Sequence, residues 1–247
     1  MRSYVSKLLG RGGVYPKVVF FHIQKTAGSS IVEMVQEKYH RSMVTHGYFV
    51  EKNISELLEF DFISGHFGFS YAQSLVKDRF SFTFLRQPSD RVLSLYFFCR
   101  QQPSNKFPIY KKAKDYSLED FLLAGFDDPI IKRHIWNHQT WQMASGRLGL
   151  NSDGVDEIDG LKMLDKAKKN LSSLDFYGLS EFFSRDSNIV SSQLGLGLDI
   201  FEGSVNKSIR PLVNHVSNRA LDLLNELNTL DNKLYSWALD NWNEPKK

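Results

Sequence analysis

The residues between Val18 and Ser30 have the types and the order needed to bind an anionic group. An apolar run from Val18 to Ile23 predicts a buried strand, and an amphipathic helix is predicted to begin at about Ser29. Backbone N–H groups at a helix N-terminus lack intrahelical partners, and the helix dipole favours negative charge there. Lys25 adds a cation to the connecting loop. The sequence therefore predicts a bound phosphate or sulfate group, contacted by Lys25, Thr26, Ala27, Gly28, Ser29 and Ser30.

This loop differs from the phosphate-binding loop of nucleoside triphosphatases, in which a Lys directly follows the second Gly. Here Lys25 precedes Gly28, and no Gly opens the loop. The spacing therefore does not imply metal–nucleotide chemistry, although a P-loop-type nucleotide kinase stays an alternative. An ordinary strand-to-helix turn is the structural alternative.

A second segment combines a guanidinium and a hydroxyl near the start of a predicted helix. Arg86 follows the predicted strand Phe80–Leu85, and Pro88 is expected to begin the helix. Ser94 lies about one and a half turns into that helix. An Arg and a hydroxyl in this arrangement can bind a phosphate through charge-assisted hydrogen bonds.

His66 is the candidate general base, because a neutral imidazole can accept a hydroxyl proton near neutral pH. It follows a strand predicted at residues 60–64. Three predicted strands are thus followed by Lys25, His66 or Arg86. Ligands of parallel α/β sheets bind outside the carboxyl ends of the strands, so these three side chains are expected to line one crevice.

The two segments resemble motifs of carbohydrate sulfotransferases that use 3′-phosphoadenosine 5′-phosphosulfate (PAPS). HIQKTAGSS resembles the 5′-phosphosulfate loop of the branch with the heparan and uronyl 2-O-sulfotransferases, with Gln24 in place of Pro and Ser29 in place of Thr. Arg86 and Ser94 match the family's 3′-phosphate site. The resemblance implies PAPS as the donor co-substrate, no metal, and a hydroxyl acceptor, with a saccharide favoured.

Other parts of the chain also resemble this family. His66 matches the second His of a His-x-His motif, whereas Ser64 replaces the first, so a uronic acid acceptor is not implied. Residues 137–146 resemble an Asn-x-Gln region near the nucleotide or acceptor. Lys207 and Arg210 lie in a segment that resembles the loop closing over the donor, and solvated surface charges are the alternative for them.

The predicted elements indicate an α/β fold, P-loop-like and three-layered, with a central, mostly parallel sheet flanked by helices. Residues 1–16 are expected to be a flexible lead-in, and residues 17–247 a single sulfotransferase domain. Residues 101–116 are expected to form a surface loop. Residues 129–144 are expected to form one helical stretch, on which His134 and His138 pack or face solvent.

Further expectations concern single elements and residues. Ser117 is expected to cap a helix from Leu118 to Ala124, and residues 176–179 are predicted to form a fourth strand. His22, inside the first predicted strand, is expected to be a hydrogen-bonded core residue. Glu181 lies in a segment that resembles a Gly-Leu-x-Glu turn of the family and is expected to have a structural hydrogen-bonding role.

Composition limits the remaining possibilities. The net charge of +3 suits a polyanionic ligand but is too small to indicate nucleic acid binding. The single cysteine, Cys99, excludes an internal disulfide and favours the cytoplasm, with a soluble luminal fragment of a Golgi enzyme as the alternative. No transmembrane segment is predicted. Oligomeric state is not predicted.

These observations favour in-line transfer of a sulfuryl group to an acceptor hydroxyl, a reaction that depends mainly on positioning and electrostatics. Lys25 is expected to stabilise charge on the leaving phosphate, and His66 to take the acceptor proton. A non-catalytic nucleotide- or glycan-binding domain is a further alternative.

Overall fold

The computed structural model describes residues 15–45, 54–145, 160–197 and 216–242. Within these residues, five strands form one parallel sheet in the spatial order β2-β3-β1-β4-β5. The strands are β1 (Val18–Phe21), β2 (Ser42–Thr45), β3 (Phe62–Gly65), β4 (Phe80–Leu85) and β5 (Phe176–Leu179).

Helices join and cover these strands. They are α1 (Gly28–Gln36), α2 (Ile54–Leu57), α3 (Phe69–Ala72), α4 (Pro88–Gln101), α5 (Pro108–Asp115), α6 (Leu118–Ala124), α7 (Pro129–Ile135), α8 (His138–Ala144), α9 (Gly160–Ser173), α10 (Phe183–Gln193), α11 (Asn218–Leu227) and α12 (Thr229–Asp240). Short 3₁₀ turns occupy Gln73–Leu75 and Ser180–Phe182.

Strand β1 is fully buried, as its uninterrupted apolar sequence predicts. Val19 and Phe21 point to one face of the sheet, which α8, α9 and α12 cover. Val18 and Phe20 point to the other face, which α1 and α10 cover. Apolar side chains thus fill both sides of the sheet, and the expected three-layer α/β fold is confirmed.

Strand β1 lies at the point where the strand order reverses. Phe21 pairs with Gly65 of β3 on one side and with Thr83 of β4 on the other. The chain moves outward from β1 to β2, returns to β3, and then crosses β1 to reach β4. A crevice opens outside the carboxyl ends of the strands at such a reversal, and the sheet therefore brings the segments after β1, β3 and β4 to one place.

A third apolar cluster joins helices α4 to α7 with α11 beside the sheet. Its members include the fully buried Phe121, Ile131 and Leu224. Helix α6 begins as predicted, because the Ser117 hydroxyl accepts a hydrogen bond from the Asp120 N–H. This cluster supports α4, the helix that follows Arg86.

The prediction of a surface loop at residues 101–116 is wrong in its second half, which forms helix α5. Pro108 occupies the first turn, where its missing N–H costs no hydrogen bond. Ile109 and Ala113, one turn apart, are buried in the third cluster. Pro108 thus begins a helix, and Lys111 and Lys114 lie on its exposed face.

The prediction of one helix over residues 129–144 is also wrong. The chain breaks between α7 and α8 at Asn137, whose φ of 40° is left-handed. His134 and His138 therefore lie on two different helices. Strand β2, which the sequence did not indicate, pairs with β3 at the sheet edge through Met43 and Ile63.

Candidate active site

The loop after β1 is held in a tight turn. Lys25 and Ala27 have φ values of 67° and 65°, in the left-handed region that costs a non-glycine residue about 1 kcal/mol or more. The Thr26 hydroxyl donates to the Ile23 carbonyl over 2.9 Å and closes the turn. Turns that contain left-handed residues can form a concave anion site from successive backbone N–H groups. The loop therefore has a backbone conformation compatible with anion binding.

Gly28 allows the first turn of α1 to lie directly against the end of β1. A Cβ at this position would lie 2.0 Å from Nε2 of His22. His22 is itself buried and stacks on Phe20, with ring centroids 5.2 Å apart. His22 is therefore a core residue, as predicted, and Gly28 is required for close packing.

The hydroxyl of Ser30 fits an anion at this helix terminus. Its Oγ is buried and, within the part of the chain that the structure describes, has no hydrogen-bond partner. Ser29 beside it is half-buried. Leaving a buried hydroxyl unpaired costs about 1 to 3 kcal/mol, which an anionic oxygen as acceptor would recover. The loop and α1 thus carry features that suit a phosphate or sulfate group.

Lys25 points its ammonium group toward α4. Its Nζ lies 3.9 Å from the centroid of the Phe98 ring, a cation–π contact. Burial lowers the pKa of Lys25 to about 8, and the nearby Arg86 guanidinium acts in the same direction, while Cys99 opposes it. At pH 7 most molecules still carry the charge, and that charge is poorly solvated. An anionic ligand would therefore be strongly attracted.

Arg86 connects the two sequence motifs. Its Nη1 donates to the Lys25 carbonyl over 3.0 Å. Its backbone N–H and carbonyl are both bound by the Gln139 side-chain amide, at 3.0 and 2.8 Å. Because a guanidinium carries five N–H donors, the bond to the loop is compatible with a phosphate contact.

Ser94 lies on the side of α4 that faces the loop. Pro88 occupies the first turn, as predicted, and the Gln87 side chain caps the helix by accepting from the Asp90 N–H. Ser94 is buried and precedes Phe98 by four residues, so the two share one helix face. The hydroxyl is therefore on the same side of α4 as the ammonium group of Lys25.

His66 follows β3 and lies beside the end of β1. Its Nδ1 is 2.7 Å from the His22 carbonyl, and the two imidazole rings have centroids 4.5 Å apart. A carbonyl oxygen can only accept, so Nδ1 carries the proton and Nε2 carries the lone pair. The half-buried imidazole is thus set in the tautomer that a general base requires.

Helix α8 is fixed by reciprocal capping with α12. The Asp231 carboxylate accepts from the Gln139 N–H and from the N–H and hydroxyl of Thr140, at 2.7 to 3.1 Å. In return, the Asn137 Oδ1 accepts from the Leu230 and Asp231 N–H groups. This Asn-x-Gln region has no local sequence signal beyond the family resemblance, because both caps come from distant residues.

The half-buried His134 contacts Gln24, the loop residue that departs from the family pattern. The His134 Nδ1 lies 3.1 Å from the Gln24 Oε1. Burial and the charges of Arg133 and Arg91 lower the pKa of His134 to about 3, so this imidazole is neutral. Arg91, fully buried, donates to the His134 carbonyl over 2.8 Å. His134 is thus part of the support of the loop.

Four further predictions concern the C-terminal cations, a metal site, a membrane span and Glu181. Lys207, Arg210 and Gly146 lie outside the described residues. In the described ranges, no group of three or more His, Cys, Asp or Glu side chains is arranged to hold a metal ion. None of the helices in these ranges is long and apolar enough to span a membrane. Glu181 has the structural role expected of it, since it accepts from the Gln87 N–H and the Tyr235 hydroxyl.

The fold and the site together are those of an α/β protein whose features at the reversal of its parallel sheet suit an anionic ligand. Residues 14–238 match the family profile described as the Sulfotransferase family, and the chain belongs to this family. The expected enzyme class, a PAPS-dependent sulfotransferase, is thereby confirmed. The branch within the family stays a prediction.

A solved structure of mouse sulfotransferase SULT7A1 complexed with PAP is 12% identical, with a TM-score of 0.38, and the match covers 99% of this chain and 89% of that chain. Comparison with curated protein sequences gives no match.

Proposed function

We propose that this protein transfers the sulfuryl group of PAPS to a hydroxyl of a saccharide, with His66 as the general base. The observation that carries the proposal is the contact between Arg86 and the Lys25 loop, which joins the two phosphate-type motifs. A donor with phosphate groups at both the 3′ and the 5′ position of its ribose would use both motifs. A nucleoside triphosphate would use only the first.

Different elements would bind the 5′-phosphosulfate and the 3′-phosphate of the donor. The amides of the loop and of the first turn of α1, with Lys25 and Ser30, would bind the 5′-phosphosulfate. Arg86 and Ser94 would bind the 3′-phosphate by charge-assisted hydrogen bonds. We also infer that Lys207 and Arg210 contact donor phosphates, as the family resemblance implies.

The reaction needs one bond to form as another breaks. The acceptor hydroxyl oxygen bonds to sulfur while the bond from sulfur to the 5′-phosphate oxygen breaks, and the bisphosphorylated adenosine leaves with the electron pair. Nε2 of His66 takes the hydroxyl proton, because Nδ1 is committed to the His22 carbonyl. No metal is required in this scheme.

Lys25 would act on the leaving group. Negative charge grows on the bridging oxygen as the bond to sulfur breaks, and the ammonium group can neutralise it. Burial strengthens this interaction because less water screens the charge.

The proposal is tested with radiolabelled PAPS and a panel of saccharide, peptide and small hydroxyl acceptors, without magnesium. We expect labelled product with at least one saccharide. His66→Ala should abolish transfer and preserve binding of the product nucleotide, whereas the exposed His40 replaced by Ala should behave as wild type. Wild-type turnover in His66→Ala would remove this residue from the mechanism.

Two outcomes would favour the alternatives. Magnesium-dependent transfer from a nucleoside triphosphate would indicate a kinase. Tight binding of PAPS with no transfer to any acceptor class would indicate a binding domain.

The cytoplasmic location suggested by the single Cys99 stays a prediction, and fractionation of the expressing cells would check it.

A further inference from the structure

We infer that Gln142 is a positioning residue that holds His66 in the tautomer and orientation needed for proton transfer. This inference rests on the proposed function, in which His66 is the base. Gln142 lies on α8 and acts through two backbone carbonyls: that of His22, which also binds the His66 imidazole, and that of Phe67, which directly follows His66.

The carbonyl oxygen of His22 is a hydrogen-bond acceptor for both His66 and Gln142. It accepts from the His66 Nδ1 at 2.7 Å and from the Gln142 Nε2 at 3.2 Å. The same Nε2 donates to the Phe67 carbonyl at 3.0 Å. One amide group therefore ties the end of β1 to the residue that directly follows His66. Both the acceptor for the imidazole and the backbone that carries the imidazole are held by it.

The orientation of this amide follows from its surroundings. Gln142 is fully buried, and its NH₂ group faces two carbonyl oxygens. A flipped amide would place Oε1 against the same oxygens, with repulsion in place of two hydrogen bonds. Within the described residues, Oε1 is buried and has no hydrogen-bond partner, which costs about 1 to 3 kcal/mol. An apolar side chain would avoid that cost, so the two donated bonds are the feature that favours Gln here.

The helix that carries Gln142 is itself immobilised. The Asp231 carboxylate holds the first turn of α8 through the Gln139 and Thr140 N–H groups. Gln139, three residues before Gln142, binds the backbone of Arg86 from the same helix. One short helix thus positions the proposed base with one Gln and the proposed phosphate ligand with the other.

Loss of the Gln142 amide should loosen the His22 carbonyl and the backbone after His66. The Nδ1–H bond then weakens, so the imidazole samples the other tautomer and other orientations. In that tautomer Nε2 carries a proton and cannot accept one. Misplacement of a catalytic group by about 1 Å lowers turnover on the order of 100-fold.

The test uses Gln142→Leu and the longer Gln142→Met, with Gln139→Leu as a matched variant on the same helix. Turnover, the Kd of the bisphosphorylated adenosine product, and ¹⁵N spectra of labelled histidine are measured, with His66 assigned by comparison with His66→Ala. We expect wild-type His66 to carry its proton on Nδ1. Gln142→Leu should lower kcat roughly 10- to 100-fold, leave the product Kd within about twofold, and give a mixed tautomer signal. Gln139→Leu should mainly weaken product binding.

Either of two results would overturn the inference: a wild-type His66 protonated on Nε2, or an unchanged His66 spectrum and kcat in both Gln142 variants. Since the wild-type spectrum needs no variant, protonation on Nε2 would overturn the inference even if both variants failed to fold. The spectra do not depend on turnover. Full activity in His66→Ala would therefore contradict the proposed base, while the positioning by Gln142 would still be judged from the tautomer.

Discussion

At the scale of single residues, the candidate site combines a cation, Lys25, with a proposed base, His66, whose tautomer is set by a hydrogen bond. Lys25 keeps its charge at neutral pH although burial lowers its pKa to about 8. The His22 carbonyl favours the neutral tautomer of His66 that has its proton on Nδ1. In the proposed mechanism the leaving group needs the charged Lys25, and the acceptor needs the lone pair of the His66 Nε2.

The lowered pKa of Lys25 predicts a pH effect on donor use. The ammonium group is the acid form, so it is charged below pH 8 and neutral above it. We expect kcat/KM for PAPS, which reports the free enzyme, to fall as pH rises through about 8. Lys25→Arg should lack this fall because a guanidinium stays protonated, even if its absolute rate is lower.

The matched control is the exposed Lys77 replaced by Arg, which should keep the fall. A pH profile that is identical in wild type and Lys25→Arg would contradict a role for the Lys25 charge.

Gly28 predicts a packing effect in the same loop. Gly28→Ala would place a methyl group 2.0 Å from the buried His22 ring, so the first turn of α1 must move. We expect a loss of about 1 to 3 kcal/mol in the free energy of unfolding, together with weaker binding of the product nucleotide. Denaturant titration and calorimetry measure the two quantities. Wild-type stability and affinity in this variant would show that the first turn of α1 can move at no cost.

At the scale of secondary-structure elements, α8 links the segments that follow three strands. Its two Gln side chains reach the ends of β1, β3 and β4, and its own N-terminus is capped by α12. The candidate site therefore depends on a helix pair that carries neither the Lys25 loop nor His66 or Arg86. Substitutions that remove this cap should weaken nucleotide binding at the candidate donor site.

Asp231→Ala tests this dependence. It removes the acceptor for two backbone N–H groups and one hydroxyl of α8, all buried, and we expect a loss of about 2 to 4 kcal/mol in the free energy of unfolding. The product nucleotide should also bind more weakly, because Gln139 no longer holds Arg86 in place. Asp222→Ala, on the exposed side of α11, is the control and should change neither quantity. If Asp231→Ala is destabilised but binds the product nucleotide as tightly as the wild type, the cap has no effect on the donor site.

At the scale of the whole molecule, the strand order decides which segments meet. His66 follows Lys25 by 41 positions, and Arg86 follows His66 by 20 positions. Because β1 lies between β3 and β4, all three residues reach the same edge of the sheet. A ligand that contacts the segments after all three strands should stabilise the fold as a unit.

Thermal unfolding with nucleotides measures this stabilisation. At 100 times its Kd, the bisphosphorylated adenosine should add about 2.7 kcal/mol, which corresponds to a rise in Tm of roughly 5 to 10 °C for a chain of this size. Adenosine monophosphate at the same concentration should raise the Tm much less, since it lacks the 3′-phosphate. Arg86→Ala should abolish the difference between the two nucleotides. Equal shifts for both nucleotides in the wild type would contradict a two-phosphate site.

The sequence by itself determined the elements whose cause is local. The apolar runs of β4 and β5 predict those strands at their observed bounds, and Ser117 and Pro88 mark the starts of α6 and α4. The Lys25 loop and the Arg86 segment were recognised because each motif is a contiguous stretch with its own chemistry. The α/β class and the sulfotransferase family could be predicted from these features alone.

Tertiary structure decided what depends on residues far apart in the chain. The break at Asn137 exists because its side chain caps α12, about 90 residues away, and α5 folds because Ile109 and Ala113 find a buried surface. The partners of Gln139 and Gln142 are backbone groups, which leave no trace in any side-chain pattern. A hydrogen bond to a distant carbonyl has no local sequence signal, so the side chains that orient His66 and Arg86 were visible only once the chain was folded.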